Sequence, residues 1–444
     1  MFALLLQELR KIWRPGVVVA LIVAAIAYAV PYTQLEYGNL NASADVTNDD
    51  TVSLINEYGP VINRESVAAM KADLPRLKAG LNRQIANDPR SATYGITDYD
   101  SFVDKAEELG YSSGFDDEHP SDTVTAGDGS DDAAASQDAA GQDDDAWNRY
   151  CSKITALADY HAVDARRRAI DDYERNMTKE VITLRVINAL GLSRQAGVPD
   201  DGSRVDVASL SVPKNAAAQA DRLYAQRENA GYLEKYADAY ETTMMMVMLM
   251  FVYAVVMSVV LTVGLFVTDR KRNIRQLQWS SRTGRRVTGV QLLAVGLSSL
   301  GVCVALAMVF AAVWLPQVWP YLATPVFSTS VAPWFGGWTF AGYLAAVMAL
   351  ATVMTVTFTM GAAWVAHWFG GLVRALLAVV PLTVVFLFCA VYAVLGEAFL
   401  MGNVLSFHTR LPGCEIAVAA AMIAVVAVVW AVTLRRGRRA DLAR

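Results

Sequence analysis

The chain lacks the motifs by which a protein binds ATP or holds a catalytic metal. Its 444 residues contain no G-x-x-x-x-G-K-[ST] and no G-x-G-x-x-G, so the sequence provides no phosphate-binding loop of either kind. The four histidines are scattered and do not have the spacing of a zinc site. Four cysteines are too few for a disulfide framework in a chain of this length. We therefore expect no enzyme, and no metal or cofactor bound directly.

Charge is almost absent from six long apolar stretches. They are Val17–Leu35, Thr242–Thr268, Val290–Leu315, Phe340–Ala366, Leu372–Leu395 and Ile416–Leu434. Each has about the length of ~20 residues that crosses a bilayer as a helix, and only Arg374, at the beginning of the fifth, is charged. Ionisable residues inside a membrane mark proton relays and ion paths, so their absence argues against an ion-coupled carrier.

The charges that are present separate by sign. Residues 37–241 contain 37 acidic and 21 basic residues, a net charge of −16. The connection at residues 269–289 is basic instead, and its segment DRKRNIRQLQWSSRTGRR has seven positive charges and one negative. Basic connections beside membrane spans stay in the cytoplasm. We therefore predict a multi-pass plasma-membrane protein with cytoplasmic termini, residues 37–241 extracellular, and residues 435–444 as a basic cytoplasmic tail.

Residues 1–16 precede the first span, which we place at 17–36, and they begin with an amphipathic helix. One face of this helix is apolar, and it consists of Phe2, Leu5, Leu6, Leu9, Ile12 and Trp13. Pro15-Gly16 then interrupts the helix. We predict an elbow helix that lies along the inner leaflet. A signal peptide cleaved near Ala27-Tyr28-Ala29 is the alternative.

Residues 37–241 predict a mostly helical extracellular domain. The candidate helices are Asn63–Ala86, Tyr99–Leu109, Ala146–Leu190 and Asn215–Tyr240, the last running into the span at 242–268. A β-subdomain around Glu180–Ile187 is an alternative for that part. Residues 115–145 contain eleven acidic residues and no basic residue, which predicts a disordered loop. Cys151 and Cys414 lie on the same predicted side of the membrane, and the sequence leaves their pairing open.

Residues 290–434 contain the third to sixth spans and two groups of side chains with an uncertain role. One group is spaced i, i+3, i+7 on a single helix face and consists of Thr352, Thr355 and Thr359. These hydroxyls are candidates for a substrate path, although small polar residues also pack membrane helices together. The second group is predicted to form an aromatic belt at the outer interface, and it consists of Trp314, Trp319, Trp334 and Trp338.

This layout resembles the permease subunit of ABC-2-type (type V) ABC exporters. The resemblance rests on the elbow helix, on six spans with both termini inside, on a large insert between the first two spans, and on the basic loop after the second. That loop ends in a turn resembling the family's, Ser280-Ser281-Arg282-Thr283-Gly284-Arg285. The resemblance covers residues 1–36 and 242–444 by layout, whereas the insert of about 200 residues resembles no family we can name.

The resemblance implies an all-α polytopic fold and a half-transporter. Two such permeases, either two copies or a related pair, would each dock one cytosolic ABC ATPase, which binds the ATP and Mg²⁺. The implied ATPase contacts are Arg272, Gln276, Trp279, Ser281, Arg282 and Arg285, with Glu8 and Lys11 nearby. The alternative is that this loop only anchors to anionic membrane lipid.

Two functions are therefore expected from different classes. The first is the outward export of an amphipathic peptide, lipid or drug-like substrate, driven by the separate ATPase. The second is a non-transporting membrane sensor or envelope scaffold, whose extracellular helical domain binds a ligand or a partner. Neither function involves nucleic acid.

Overall fold

The computed structural model describes residues 2–41, 48–109, 140–189, 192–199, 209–225, 234–271, 287–326, 338–394 and 414–439. Within these ranges the regular structure is helical, apart from an isolated bridge between Pro325 and Thr339. The predicted all-α fold is therefore confirmed for the described residues. The chain divides into two units. The apolar unit comprises Met1–Gly38, Ile182–Leu223 and Tyr236–Arg444, and the polar unit comprises Asn39–Val181 and Tyr224–Lys235.

The α-helices are numbered here in the order in which they follow one another along the described parts of the chain. They are α1 (Phe2–Ile12), α2 (Pro15–Asn41), α3 (Asn48–Tyr58), α4 (Arg64–Asn87), α5 (Pro89–Thr93), α6 (Tyr99–Glu108), α7 (Ala140–Thr155), α8 (Ala158–Asn176), α9 (Lys179–Ala189), α10 (Ser193–Ala196), α11 (Lys214–Ala225), α12 (Glu234–Lys271), α13 (Val287–Val313), α14 (Leu315–Val318), α15 (Phe340–His367), α16 (Leu372–Phe388) and α17 (Cys414–Arg439). A 3₁₀-helix at Trp319–Ala323 follows α14, and a π-helix at Cys389–Val394 extends α16.

Five helices of the apolar unit are long and apolar enough to cross a membrane. The segments are Asp238–Val267, Val287–Val313, Phe340–His367, Leu372–Val391 and Glu415–Arg436. They coincide with the second to sixth predicted spans. Large apolar side chains also remain uncovered on them, for example Val373 and Leu377, each 71% exposed. A continuous apolar surface that extends over whole helices is unfavourable in water, whereas lipid chains can cover it. The apolar unit is therefore that of a multi-pass membrane protein.

The first predicted span, Val17–Leu35, lies inside α2, which is 27 residues long. The side chains of Ala24, Ala27 and Tyr28 are outside the described part of this helix. Helix α2 is not among the five segments found by length and composition in the described residues. A sixth span therefore stays a prediction, as do the sides of the membrane on which the termini and residues 37–241 lie.

The polar unit is a helical domain with its own apolar core. Helix α4 packs along α8, and aromatic side chains from α6, α7 and α8 fill the space between them. Phe102, Tyr150 and Trp147 lie with ring centroids 5.8–6.5 Å apart, and each is at most 5% exposed. The helix ends are capped, because Asn63 accepts a hydrogen bond at the start of α4 and Asp98 forms a capping box on α6.

Several sequence predictions change in this region. The predicted helix Ala146–Leu190 is three helices, α7, α8 and α9, and the residues proposed for a β-subdomain lie in α9. Helix α7 already begins at Ala140, so the end of the segment predicted to be disordered is helical. Trp147, Tyr150 and Ile154 bury one face of α7, and this burial stabilises the helix beyond what its acidic start predicts. Residues 115–139 lie outside the described residues.

Candidate functional site

The N-terminal helix α1 packs against α13 through a buried carboxylate. Glu8 is only 2% exposed, although it is charged. Lys11 Nζ donates a hydrogen bond to Glu8 Oε1 over 2.7 Å, and Gln291 Nε2 donates one to Glu8 Oε2 over 3.3 Å. A buried charge is tolerated only when it is paired and hydrogen-bonded, and Glu8 is both. Gln291, which is 5% exposed, therefore connects α1 to the first turns of α13.

A second polar contact joins the two helices farther along α13. The indole Nε1 of Trp13 donates to Ser298 Oγ over 3.0 Å, and the ring lies 3.5 Å from the place where a Cβ on Gly301 would stand. Gln291 and Ser298 are about 6 and 16 Å along α13 from Val287, at 1.5 Å per residue. Helix α1 therefore runs alongside α13. The predicted position of α1 along the inner leaflet stays a prediction.

Apolar contacts complete this junction. Ile12 is 2% exposed and packs with Leu265, Phe266 and Trp430, while Leu5 and Leu9 flank the same cluster. Phe2, in contrast, is 74% exposed. Leu6 is also 42% exposed. The amphipathic face predicted from the sequence is therefore packed against protein only in part.

The residues predicted to contact an ATPase separate into two sets. Glu8 and Lys11 are brought together, but Glu8 is turned into the bundle, whereas Lys11 keeps 36% of its side chain exposed. The other six, Arg272, Gln276, Trp279, Ser281, Arg282 and Arg285, lie in residues 272–286, outside the described residues. By chain connectivity this segment joins the end of α12 to the beginning of α13. We call the end of the bundle where α12 ends and α13 begins the loop-side end.

A cluster of hydroxyl groups lies at the centre of the bundle. Ser299 Oγ of α13 is 3.1 Å from Ser258 Oγ of α12 and 3.3 Å from Thr359 Oγ1 of α15, and all three residues are fully buried. Interhelical hydrogen bonds of this kind hold apolar helices together where no hydrophobic driving force acts between them. Thr359 was predicted as a candidate for a substrate path or for helix packing. Ser258 and Ser299 were not predicted, because single serines within apolar runs carry no distinctive pattern.

The three threonines predicted as a possible substrate path do not share one environment. Thr355 and Thr359 are fully buried, and their hydroxyls donate to the carbonyls of Ala351 and Thr355, each over 2.8 Å. Thr352 likewise donates to Met348 O, but it faces a surface groove between α13 and α15. In this conformation Thr355 and Thr359 therefore act in helix packing, and only Thr352 borders an open volume.

Aromatic side chains pack at the loop-side end. Phe266 of α12 lies 5.4 Å from the ring of His367 of α15 and 5.8 Å from that of Trp430 of α17, measured between centroids. Trp430 Nε1 donates to Met360 O over 2.9 Å, and Trp364 Nε1 donates to Thr433 Oγ1 over 2.9 Å. The ends of α12, α15 and α17 are therefore joined by ring contacts and hydrogen bonds at the loop-side end.

At the opposite end of the bundle, buried aromatic side chains pack between the helices. Trp314 is fully buried, and its Nε1 donates to Thr243 Oγ1 over 3.1 Å. Tyr240 is stacked on Phe340 at a centroid distance of 4.0 Å and bonds to the hydroxyl of Thr324. The predicted aromatic belt is thus wrong for Trp314, since its indole N–H finds a partner inside the bundle. Trp319 and Trp338 are exposed, and Trp334 lies outside the described residues.

A cleft of about 680 Å³ opens on the polar unit. Tyr173, Met177 and Tyr224 provide its aromatic and apolar lining, and it also contains the ion pair between Lys71 and Glu174. Arg64, Lys179 and Glu180 also line it and add charge of both signs. The cleft is therefore amphipathic and able to hold a small molecule or a peptide side chain.

The polar unit contains a free cysteine but no metal cluster among the residues that the structure describes. Cys151 is fully buried beside Tyr150, and burial raises the pKa of its thiol to about 12. A thiol in that state is a weak nucleophile. The pairing with Cys414, predicted as an open question, stays open, because the side chain of Cys414 lies outside the described residues.

Comparisons with known proteins found no match to this chain. No family model matches the chain, and neither a curated protein nor a solved structure matches it.

Proposed function

We propose that the chain is the transmembrane permease subunit of an ATP-driven exporter. Two permeases pair in the plasma membrane, and each docks a cytosolic ABC ATPase that binds ATP and Mg²⁺. Closure of the ATPase pair moves the loop at residues 272–286, and the helix packing changes so that an amphipathic peptide, lipid or drug-like substrate leaves outward. Because the apolar spans hold no ion relay and the sequence has no phosphate-binding loop, the energy has to come from such a partner.

The observation that carries the proposal is the junction between α1 and α13. Helix α13 begins directly after the basic loop, and α1 is fixed to it at Gln291 and again at Ser298. A push on the loop would therefore move α1 together with α13. Helix α2 begins three residues after α1 ends, so the same push would reach the chain that leads towards the polar unit.

The proposal is tested with the purified chain and the cytosolic ATPase encoded beside it. We expect the two to form a complex and the ATPase turnover to rise on reconstitution. Replacing Trp279 or Arg282 by Ala should abolish the stimulation while the permease still inserts. Replacing Arg438 by Ala, in the basic C-terminal segment, is the matched control and should leave it intact. The proposal would be wrong if the chain neither bound the ATPase nor stimulated its turnover.

The cleft on the polar unit favours the second candidate function, a sensor that binds a ligand outside the membrane. Its lining of two tyrosines, a buried methionine and several charges has the mixed character of small-ligand sites. A Tyr173→Ala substitution would impair ligand-dependent protection of the polar unit in a sensor. In an exporter whose substrate avoids this cleft, the same change would leave ATPase stimulation and transport unaltered.

A further inference from the structure

We propose that the cleft on the polar unit binds a zwitterion with an apolar or aromatic side chain, as an α-amino acid or a short peptide is. The inference deepens the second candidate function, on which it rests, because it names the ligand class of the same cleft. The volume of about 680 Å³ is within the range of about 300–1,000 Å³ that ligand sites have. All of the lining residues belong to the polar unit.

One wall of the cleft is a single face of α4. It is lined by Arg64, Val67, Ala68 and Lys71, and their spacing of i, i+3, i+4 and i+7 puts them on one side of a helix. At 1.5 Å per residue this face is about 10 Å long. It has a cation at each end and apolar side chains between. An amino acid fits within that length, and so do about three residues of an extended peptide at about 3.3 Å per residue.

A second wall is the end of α8, which runs antiparallel to α4. Lys71 pairs with Glu174, and farther along α4 Gln84 donates a hydrogen bond to Asp159, near the beginning of α8. Later positions on α4 therefore match earlier positions on α8. The end of α8 and the beginning of α9, which includes Glu180, thus lie on the same side as the beginning of α4.

Two charged side chains of opposite sign in the lining have no partner within the part of the chain that the structure describes. The guanidinium of Arg64 and the carboxylate of Glu180 form no ion pair and no hydrogen bond there. Lys71 and Glu174, in contrast, neutralise each other. An arginine fork binds a carboxylate with two parallel hydrogen bonds, and a carboxylate accepts hydrogen bonds from an ammonium group. A zwitterion would pair both of the unpaired side chains at once.

The apolar and aromatic part of the lining requires more than two charges in the ligand. The rings of Tyr173 and Tyr224 and the buried side chain of Met177 belong to this part. Aromatic rings and thioethers make favourable contacts with apolar and aromatic groups. An inorganic ion would leave this surface uncovered. The lining therefore favours a zwitterion whose side chain is large and apolar or aromatic.

The test measures binding to the full chain in lipid nanodiscs by isothermal titration calorimetry. The probes are phenylalanine, leucine, methionine and tyrosine, each as the free amino acid and as a tripeptide with the same residue at both ends of a central alanine. We expect saturable binding at one site per chain, and the tighter of the two forms shows whether the ligand is an amino acid or a peptide. Acetylation of the ammonium group or amidation of the carboxylate should each weaken binding about fivefold, because each removes one ion pair with an exposed side chain.

Three variants assign the two charges to their partners. Arg64→Gln should weaken binding about fivefold and make it insensitive to amidation, whereas Glu180→Gln should make it insensitive to acetylation. Arg76→Gln is the matched control and should leave every affinity unchanged. Arg76 lies on the same helix, its side chain is 78% exposed, and it does not line the cleft. Circular dichroism checks that all three variants fold.

Three results would overturn the inference. They are the absence of saturable binding by any probe, equal affinities of the parent probes and their acetylated or amidated forms, and an Arg64→Gln variant that stays as sensitive to amidation as the wild-type chain. Because binding is measured without a signal, the two failures are distinguishable. Saturable binding that changes no activity of the chain would refute the sensor function and leave the ligand class standing.

Discussion

Removal of Lys11 should release α1 from the bundle. The Lys11→Met variant leaves the carboxylate of Glu8, 2% exposed, with the amide of Gln291 as its remaining partner at 3.3 Å. Two unit charges 2.7 Å apart attract by about 6 kcal/mol at an effective dielectric constant of 20, and desolvation offsets much of this. Breaking a buried pair costs about 3–5 kcal/mol. Because Lys11 is 36% exposed, we expect the lower end, about 3 kcal/mol.

The assay is amide hydrogen exchange on the full chain in lipid nanodiscs. A cost of about 3 kcal/mol raises the equilibrium constant for undocking roughly a hundredfold. Amides of Leu5 to Trp13 should exchange faster by that factor, because they exchange through local opening of α1. Amides of α16 should not change, because neither the Glu8–Lys11 pair nor Gln291 lies on that helix.

Two further variants make this reasoning refutable. Lys105→Met breaks an ion pair of the same i, i+3 spacing between Lys105 and Glu108, whose carboxylate is 65% exposed, and should cost at most about 1 kcal/mol. The double variant Glu8→Leu/Lys11→Met replaces the buried pair with apolar side chains and should restore most of the protection. The reasoning is refuted if Lys11→Met behaves like Lys105→Met, or if the double variant is as open as the single one.

Three other changes test the packing. Phe102→Ala, in the core of the polar unit, should destabilise that unit by about 3–5 kcal/mol, measured as the urea concentration at which the buried thiol of Cys151 becomes reactive. The pKa of Asp88 is lowered by its hydrogen bond with Lys153, so its stabilisation is present above the unfolded value of about 4 and is lost as the pH falls through the lowered value. The Asp88→Asn variant should therefore be less stable than wild type by up to about 1 kcal/mol at neutral pH, and the difference should vanish in acid, in the same thiol assay with an acid-active pyridyl disulfide. Ser299→Ala should cost only about 0.6 kcal/mol in thermal unfolding, and a loss of several kcal/mol would show that the central hydroxyl cluster does more than join helices.

Helix positions were largely predictable because they depend on local pattern. The predicted helix Asn63–Ala86 differs from α4 by one residue at each end, and Tyr99–Leu109 differs from α6 by one residue at its end. The second predicted span lies within α12. Capping residues, apolar runs and the positions of charged residues directly indicate where such helices lie. Length and acidic composition wrongly predicted disorder for the residues that follow Ala140. The packing of Trp147 and its neighbours extends α7 into the acidic segment.

The candidate site was less predictable, since it depends on which faces meet. The sequence marked Glu8 as a polar residue on an amphipathic helix, which suggests solvent or a partner. The structure turns it towards Gln291, from a helix that begins 275 residues after α1 ends. Trp314 likewise has the composition of an interface belt but lies inside the bundle, because Thr243 offers an acceptor there.

By itself, the sequence determined that this chain is helical, that at least five of its helices suit a membrane, and where charge is absent from them. These properties follow from composition and from the 3.6-residue period, both of which are local. Only the tertiary structure decided that α1 is fixed along α13, that three hydroxyl groups meet at the centre, and that Trp314 is buried inside the bundle. The physical reason is that hydrogen bonds, ion pairs and voids arise between segments distant in the chain, and local pattern holds no information about which segments become neighbours.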